Sequence, residues 1–106
     1  MFKTNVYHKT GRDRFEVSTT GAVDLDKDFE LIGHTTEQDP NEVFRLFNTV
    51  DYPFWLNPEV ELWGDLEGAR SLSVRDVIQT HEGDLLEVAP FGFNKVHWTK
   101  WEAANQ

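Results

Sequence analysis

The chain contains no cysteine. That excludes disulfides, thiolate metal centres and a cysteine nucleophile, and with them the small secreted folds held together by bridges. Long apolar runs are also missing, and none approaches the ~20 residues that span a bilayer. Residues 1–9, Met-Phe-Lys-Thr-Asn-Val-Tyr-His-Lys, lack the apolar centre of a signal peptide. The expectation is a cytoplasmic protein with no membrane partner.

Basic residues are scarce in one long segment. Between 24 and 67 the bases are Lys27 and Arg45. The acids there are Asp24, Asp26, Asp28, Glu30, Glu37, Asp39, Glu42, Asp51, Glu59, Glu61, Asp65 and Glu67. Twelve acids and two bases give this segment −10, and seven acids and eight bases elsewhere give +1, against −9 for the whole chain. All of the net charge therefore sits mid-chain. Such a field repels nucleic acid and attracts basic partners, although acidic surfaces also serve solubility alone.

What is present fits one globular domain over residues 1–106, with 39% apolar and 27% charged residues. Aromatics reach 13%, which supplies large buried area per side chain. No repeat, linker or low-complexity stretch appears.

The clearest element is a helix over about 40–49. Asp39 is placed to cap it, Pro40 stands at its first position, and Val43, Phe44, Leu46, Phe47 and Val50 recur at helical spacing. Tyr52-Pro53 stops it. Strands are expected near 1–9, 15–18, 29–34, 59–63, 77–80, 85–88 and 91–98. Residues 81–84, His-Glu-Gly-Asp, read as a hairpin turn between two of them. Residues 24–28 are too charged to count as core. The aromatic loop at 52–56 reads as a lid over the core or as a partner-binding patch. The fold class is α+β: a small, mostly antiparallel sheet with one main helix and a C-terminal hairpin.

The most specific segment runs Arg70-Ser71-Leu72-Ser73-Val74-Arg75-Asp76-Val77 and is followed by Phe91-Gly92-Phe93. Read physically it is a turn entering a strand. Leu72 and Val74 point inward, and Ser71, Ser73 and Asp76 bond local backbone. Beside these serines, Arg70 and Arg75 also offer a possible anion site.

This pattern resembles small domains of phages, plasmids and other mobile elements that are similar to YodL-like domains. Their motif runs Arg/His-Ser-Leu/Met-Ser-Val-Gly-Asp-Val, with a later Gly-Phe or Gly-Trp. Residues 43–48, Val-Phe-Arg-Leu-Phe-Asn, resemble the family's upstream Phe…Phe-Asn segment. The resemblance covers roughly residues 40–96. It implies an α+β fold and a mobile-element context, and no activity. Arg75 stands where the family has Gly. If that position has φ > 0, Arg75 is strained or the turn differs.

Constellations that carry chemistry are weak here. Asp24-Leu-Asp-Lys-Asp28 begins like a calcium loop, but Phe29 and Thr35 stand where Gly and Glu are needed. His8, His34, His81 and His97 show no metal-ligand spacing, and no nucleophile elbow, phosphate loop or dinucleotide fingerprint appears. No cofactor and no catalytic residue is assigned.

The expected function is that of a non-enzymatic accessory protein of a phage or mobile element. It would bind a protein with a basic surface, such as a member of a nucleic-acid-handling complex. The binding residues would be Asp24, Asp26, Asp28, Glu30, Glu37, Glu42, Asp51, Glu59, Glu61, Asp65 and Glu67. The sharper form is an anti-defence inhibitor that mimics nucleic-acid charge. One alternative is a nucleic-acid-binding module that stacks bases on Phe91, Phe93, Trp98 and Trp101 beside Lys95, His97 and Lys100. Another is a small enzyme using Asp76 and a nearby His.

Overall fold

Residues of the first strand alternate between buried and half-buried positions, so both of its faces are covered. The computed structural model describes residues 3–10, 21–48, 53–64, 66 and 68–98. Its strands are Thr4–Lys9 (β1), Ala22–Val23 (β2), Phe29–Thr35 (β3), Glu61–Leu62 (β4), Val77–Gln79 (β5), Leu85–Val88 (β6) and Phe93–Trp98 (β7). One helix, Pro40–Leu46 (α1), and a 3₁₀ turn at Phe54–Leu56 complete the elements. The sheet order is β2-β7-β6-β5-β1-β3-β4. Every pairing is antiparallel except β2 with β7.

Chain geometry forces this sheet to curl. β2 lies at one edge and β3 stands five strand steps away, about 24 Å in a flat sheet. Only residues 24–28 connect them, and the steps from Val23 to Phe29 reach about 20–22 Å when fully extended. They are not extended, because the Asp28 N–H donates to the Asp24 carbonyl at 2.9 Å. The sheet therefore curls, bringing β2 back toward β3. Its inner side packs Val23, Leu25, Phe29, Val77, Leu85 and Val96, flanked by Tyr7 and Trp98. Burial, followed by the nearby Asp26 charge, raises the pKa of the Tyr7 phenol.

Leu25 corrects the expectation that 24–28 stays out of the core, since it is 4% exposed. The Asp24 side chain accepts the N–H groups of Asp26 and Lys27 at 3.1 and 3.2 Å. This tight turn leaves the acids outside and turns the one leucine inward.

Helix α1, the 3₁₀ turn and residues 69–74 cover the outer side. The core there comprises Val6, Val43, Leu46, Phe47, Phe54, Val60, Leu72, Ile78 and Val88. The Phe47 and Phe54 rings lie 5.2 Å apart. Asp39 caps α1 as its position in the sequence implies, accepting the Asn41 N–H at 3.0 Å. The helix stops at Leu46 rather than near 49. The carbonyls that would carry it onward are taken: Phe47 accepts the Leu72 N–H at 3.2 Å, and Phe44 accepts the Asn48 side chain at 2.9 Å. Residues 49–52 lie outside those described.

Other boundaries also move. β4 has two residues rather than five, because Val60 N–H turns back to the Asn57 carbonyl and Gly64 takes φ +59°. β7 begins at Phe93, after a turn in which the Ala89 N–H donates to the Gly92 carbonyl. β2 is too short to leave a periodic signal. The expected strand at 15–18 lies outside the described residues. Among the described residues, no helix is long and apolar enough to cross a membrane.

Gly33 fixes the approach of β4. A Cβ there would collide with the Glu61 carbonyl oxygen. Gly33→Ala should therefore cost about 1–3 kcal/mol by overpacking. Denaturant unfolding and amide exchange at Leu62 would test this. Unchanged stability together with unchanged Leu62 protection would contradict the crossing described.

Candidate functional site

The motif segment forms a closed polar network. Asp76 has no solvent exposure. Its Oδ1 accepts the Lys9 N–H at 2.9 Å and Arg70 Nη2 at 2.7 Å. Its Oδ2 accepts Arg70 Nη1 at 2.6 Å, Ser73 N–H at 2.8 Å and Ser73 Oγ at 3.3 Å. The Asp76 carbonyl accepts the Val88 N–H at 2.8 Å. One carboxylate thus ties β1, the motif loop and the start of β5 together, while its backbone holds β6. Arg70 adds bonds to Ser71 O and Ser73 Oγ, bracing the loop from outside.

This arrangement decides the anion-site expectation. Arg70 is held bidentately by Asp76, and Arg75 Nη1 meets Glu87 Oε1 at 3.0 Å. Internal carboxylates occupy the positions an external anion would take. Ser71 is exposed and Ser73 half-buried. His8 is the histidine near Asp76, with Nε2 4.0 Å from Oδ2.

Arg75 is the conformational outlier, with φ +81°. It is the third residue of a four-residue turn closed by Asp76 N–H to Ser73 O at 3.0 Å. That position of a type II turn demands φ > 0 and favours glycine. Arg75 therefore adopts the strained conformation. Its side chain is buried in an ion pair with Glu87, whose side chain is 4% exposed.

The three quoted pieces of the motif converge. Leu72 packs with Val43, Leu46 and Phe47 in one cluster, and Phe93 packs against the same cluster. Gly92 takes φ +74° in the turn before Phe93. In this chain these residues are the joints of the fold.

Comparison of the chain with protein-family models, with curated proteins and with solved structures finds no match to any of them.

The acidic segment divides by role. Asp24 and Asp39 hold turns and caps, and Glu37 Oε1 accepts the N–H groups of Gln38 and Asp39 at 3.0 and 3.1 Å. Glu42 pairs with Arg45 at 2.8 Å. Glu61 meets His34 Nε2 at 2.8 Å and Lys3 Nζ at 3.6 Å. The His34 hydrogen bond, followed by the Lys3 charge, holds the Glu61 carboxyl below its usual pKa. Its contribution to stability is present above the ordinary carboxylate pKa and is lost as pH falls through the lowered value. Asp26, Asp28, Glu30 and Glu59 are exposed. Glu37 and Glu59 share a notch of about 360 Å³, and Glu30 shares a groove with Trp63. Asp51, Asp65 and Glu67 lie outside the described residues.

The C-terminal aromatics separate. Phe93 packs on the helix side of the sheet and Trp98 inside the curl, so the two do not form one stacking platform. Phe91 is 96% exposed at the turn, and Lys95 pairs with Asp84 at 3.5 Å. Trp101 and Lys100 lie outside the described residues. In the aromatic loop Phe54 is core, Trp55 half-buried and Leu56 exposed. Sequence reading missed the Arg70–Asp76 and Arg75–Glu87 pairs. Arg and Asp six apart have no local geometry that announces a contact, and twelve apart even less.

Proposed function

We propose that this chain is a non-enzymatic accessory protein of a phage or other mobile element that binds a basic protein surface through its acid-rich segment. The observation that carries it is the −10 charge confined to residues 24–67, with Asp26, Asp28, Glu30 and Glu59 facing solvent. The mobile-element context rests on the resemblance of residues 40–96 to YodL-like domains. The sharper form is occupation of a nucleic-acid groove by carboxylates that replace phosphates, with release of the partner's counterions.

The test is capture of a partner from host lysate on the immobilised chain at low salt. The expected partner has a basic surface, elutes as salt rises and is displaced by duplex DNA. The fourfold change Asp26→Asn, Asp28→Asn, Glu30→Gln and Glu59→Gln should weaken binding about tenfold or more. A partner that resists salt and DNA, or that the fourfold variant binds equally well, would overturn the proposal.

A further inference from the structure

Trp63 is a large aromatic left 54% exposed. It lines a shallow groove of about 480 Å³ with Glu30, Leu31, Gly64 and Leu66. The tryptophan and two leucines supply apolar surface, and Glu30 brings an exposed carboxylate. Glu30 is the charged residue of the lining, and all five lining residues belong to the −10 segment.

Few side chains suit such a place. A purely apolar occupant would leave Glu30 desolvated without a partner. An acidic one would meet like charge. A lysine could pair with Glu30, but its compact ammonium is strongly hydrated. Arginine has a flat, weakly hydrated cation that stacks on tryptophan while it pairs with a carboxylate, and an apolar stem that lies along leucine.

We infer that this groove is the docking point for an arginine-bearing segment of a protein partner. Arginine would stack on Trp63 and pair with Glu30. The inference rests on the acidic-surface reading above and names where on that surface recognition occurs. Neither residue is tied into the core, so both can be changed without touching the fold.

The probe is an amidated octapeptide alternating arginine and threonine, with a glutamate–threonine peptide as its control. Binding is followed by calorimetry and by the indole N–H resonance of Trp63, assigned through its loss in Trp63→Ala. The wild type should bind the arginine peptide alone, with a shift of that resonance. Trp63→Ala and Glu30→Lys should each weaken binding about tenfold. Glu59→Lys, the same charge reversal elsewhere on the binding surface, should also weaken it, but by less, about threefold.

Equal losses for Glu30→Lys and Glu59→Lys with no loss for Trp63→Ala would overturn the groove while the broader acidic-surface reading stands. A wild type that does not bind the arginine peptide would also overturn the groove. Failure of the broader reading appears separately, as a captured partner indifferent to salt and to DNA.

Discussion

Asp76→Ala should cost about 3–5 kcal/mol, the loss expected when one partner of a buried ion pair is removed. Against a typical total of ~5–15 kcal/mol this is a large fraction. In a domain of this size it would lower Tm by roughly 15–30 °C. The cost has two parts. Arg70 loses its bidentate partner, but its side chain is 33% exposed and can turn to water, which moderates that part. The Ser73 and Lys9 N–H groups lose their acceptor. They cannot reorient so easily, and each unsatisfied buried donor costs about 1–3 kcal/mol. Thermal and urea unfolding would measure the sum. A Tm within a few degrees of the wild type would show that the network does not hold the fold.

Arg75 supplies the second large effect. Replacing it with glycine removes a side chain from the left-handed region, a gain of about 1–2 kcal/mol. It also strands Glu87, whose side chain is 4% exposed. An unpaired buried charge costs about 3–5 kcal/mol. The pair should win, so Arg75→Gly should destabilise by about 1–4 kcal/mol overall. Adding Glu87→Leu removes the stranded charge. Glu87 shares its sheet face with Leu85 and sits opposite Val77, both buried, so leucine meets apolar neighbours. The double variant should recover wild-type stability or exceed it. An Arg75→Gly protein more stable than the wild type would mean that strain outweighs the ion pair.

These two residues show what could be read from the order of amino acids. The cap at Asp39-Pro40 is a local signal, and Asp39 binds the Asn41 N–H accordingly. The end of α1 is not local, because it depends on Leu72 taking the Phe47 carbonyl from 25 positions away. Strained geometry at position 75 could be anticipated from the motif's glycine, but the compensating Glu87 could not. Leu25 gives no core signal because its neighbours are charged, and only the curl of the sheet creates an interior for it. The alternation over 59–63 places Trp63 in a half-buried strand. The shortness of β4 and the turn at Gly64 leave it in a groove instead.

The acidic segment was legible as charge and not as arrangement. Asp24, Glu37, Asp39, Glu42 and Glu61 carry turn, cap or pairing duties. Asp26, Asp28, Glu30 and Glu59 are exposed, and the proposed binding surface is drawn on that exposure.

The central proposal is a division of labour: the motif around Asp76 builds the fold, and the exposed acids would bind a partner. The most direct measurement is the affinity of two variants for the partner captured at low salt. One is Arg75→Gly with Glu87→Leu; the other is the fourfold neutralised chain. The motif variant should bind within about twofold of the wild type, and the neutralised chain about tenfold or more weakly. Loss of binding in the motif variant with full binding by the neutralised chain would contradict the account.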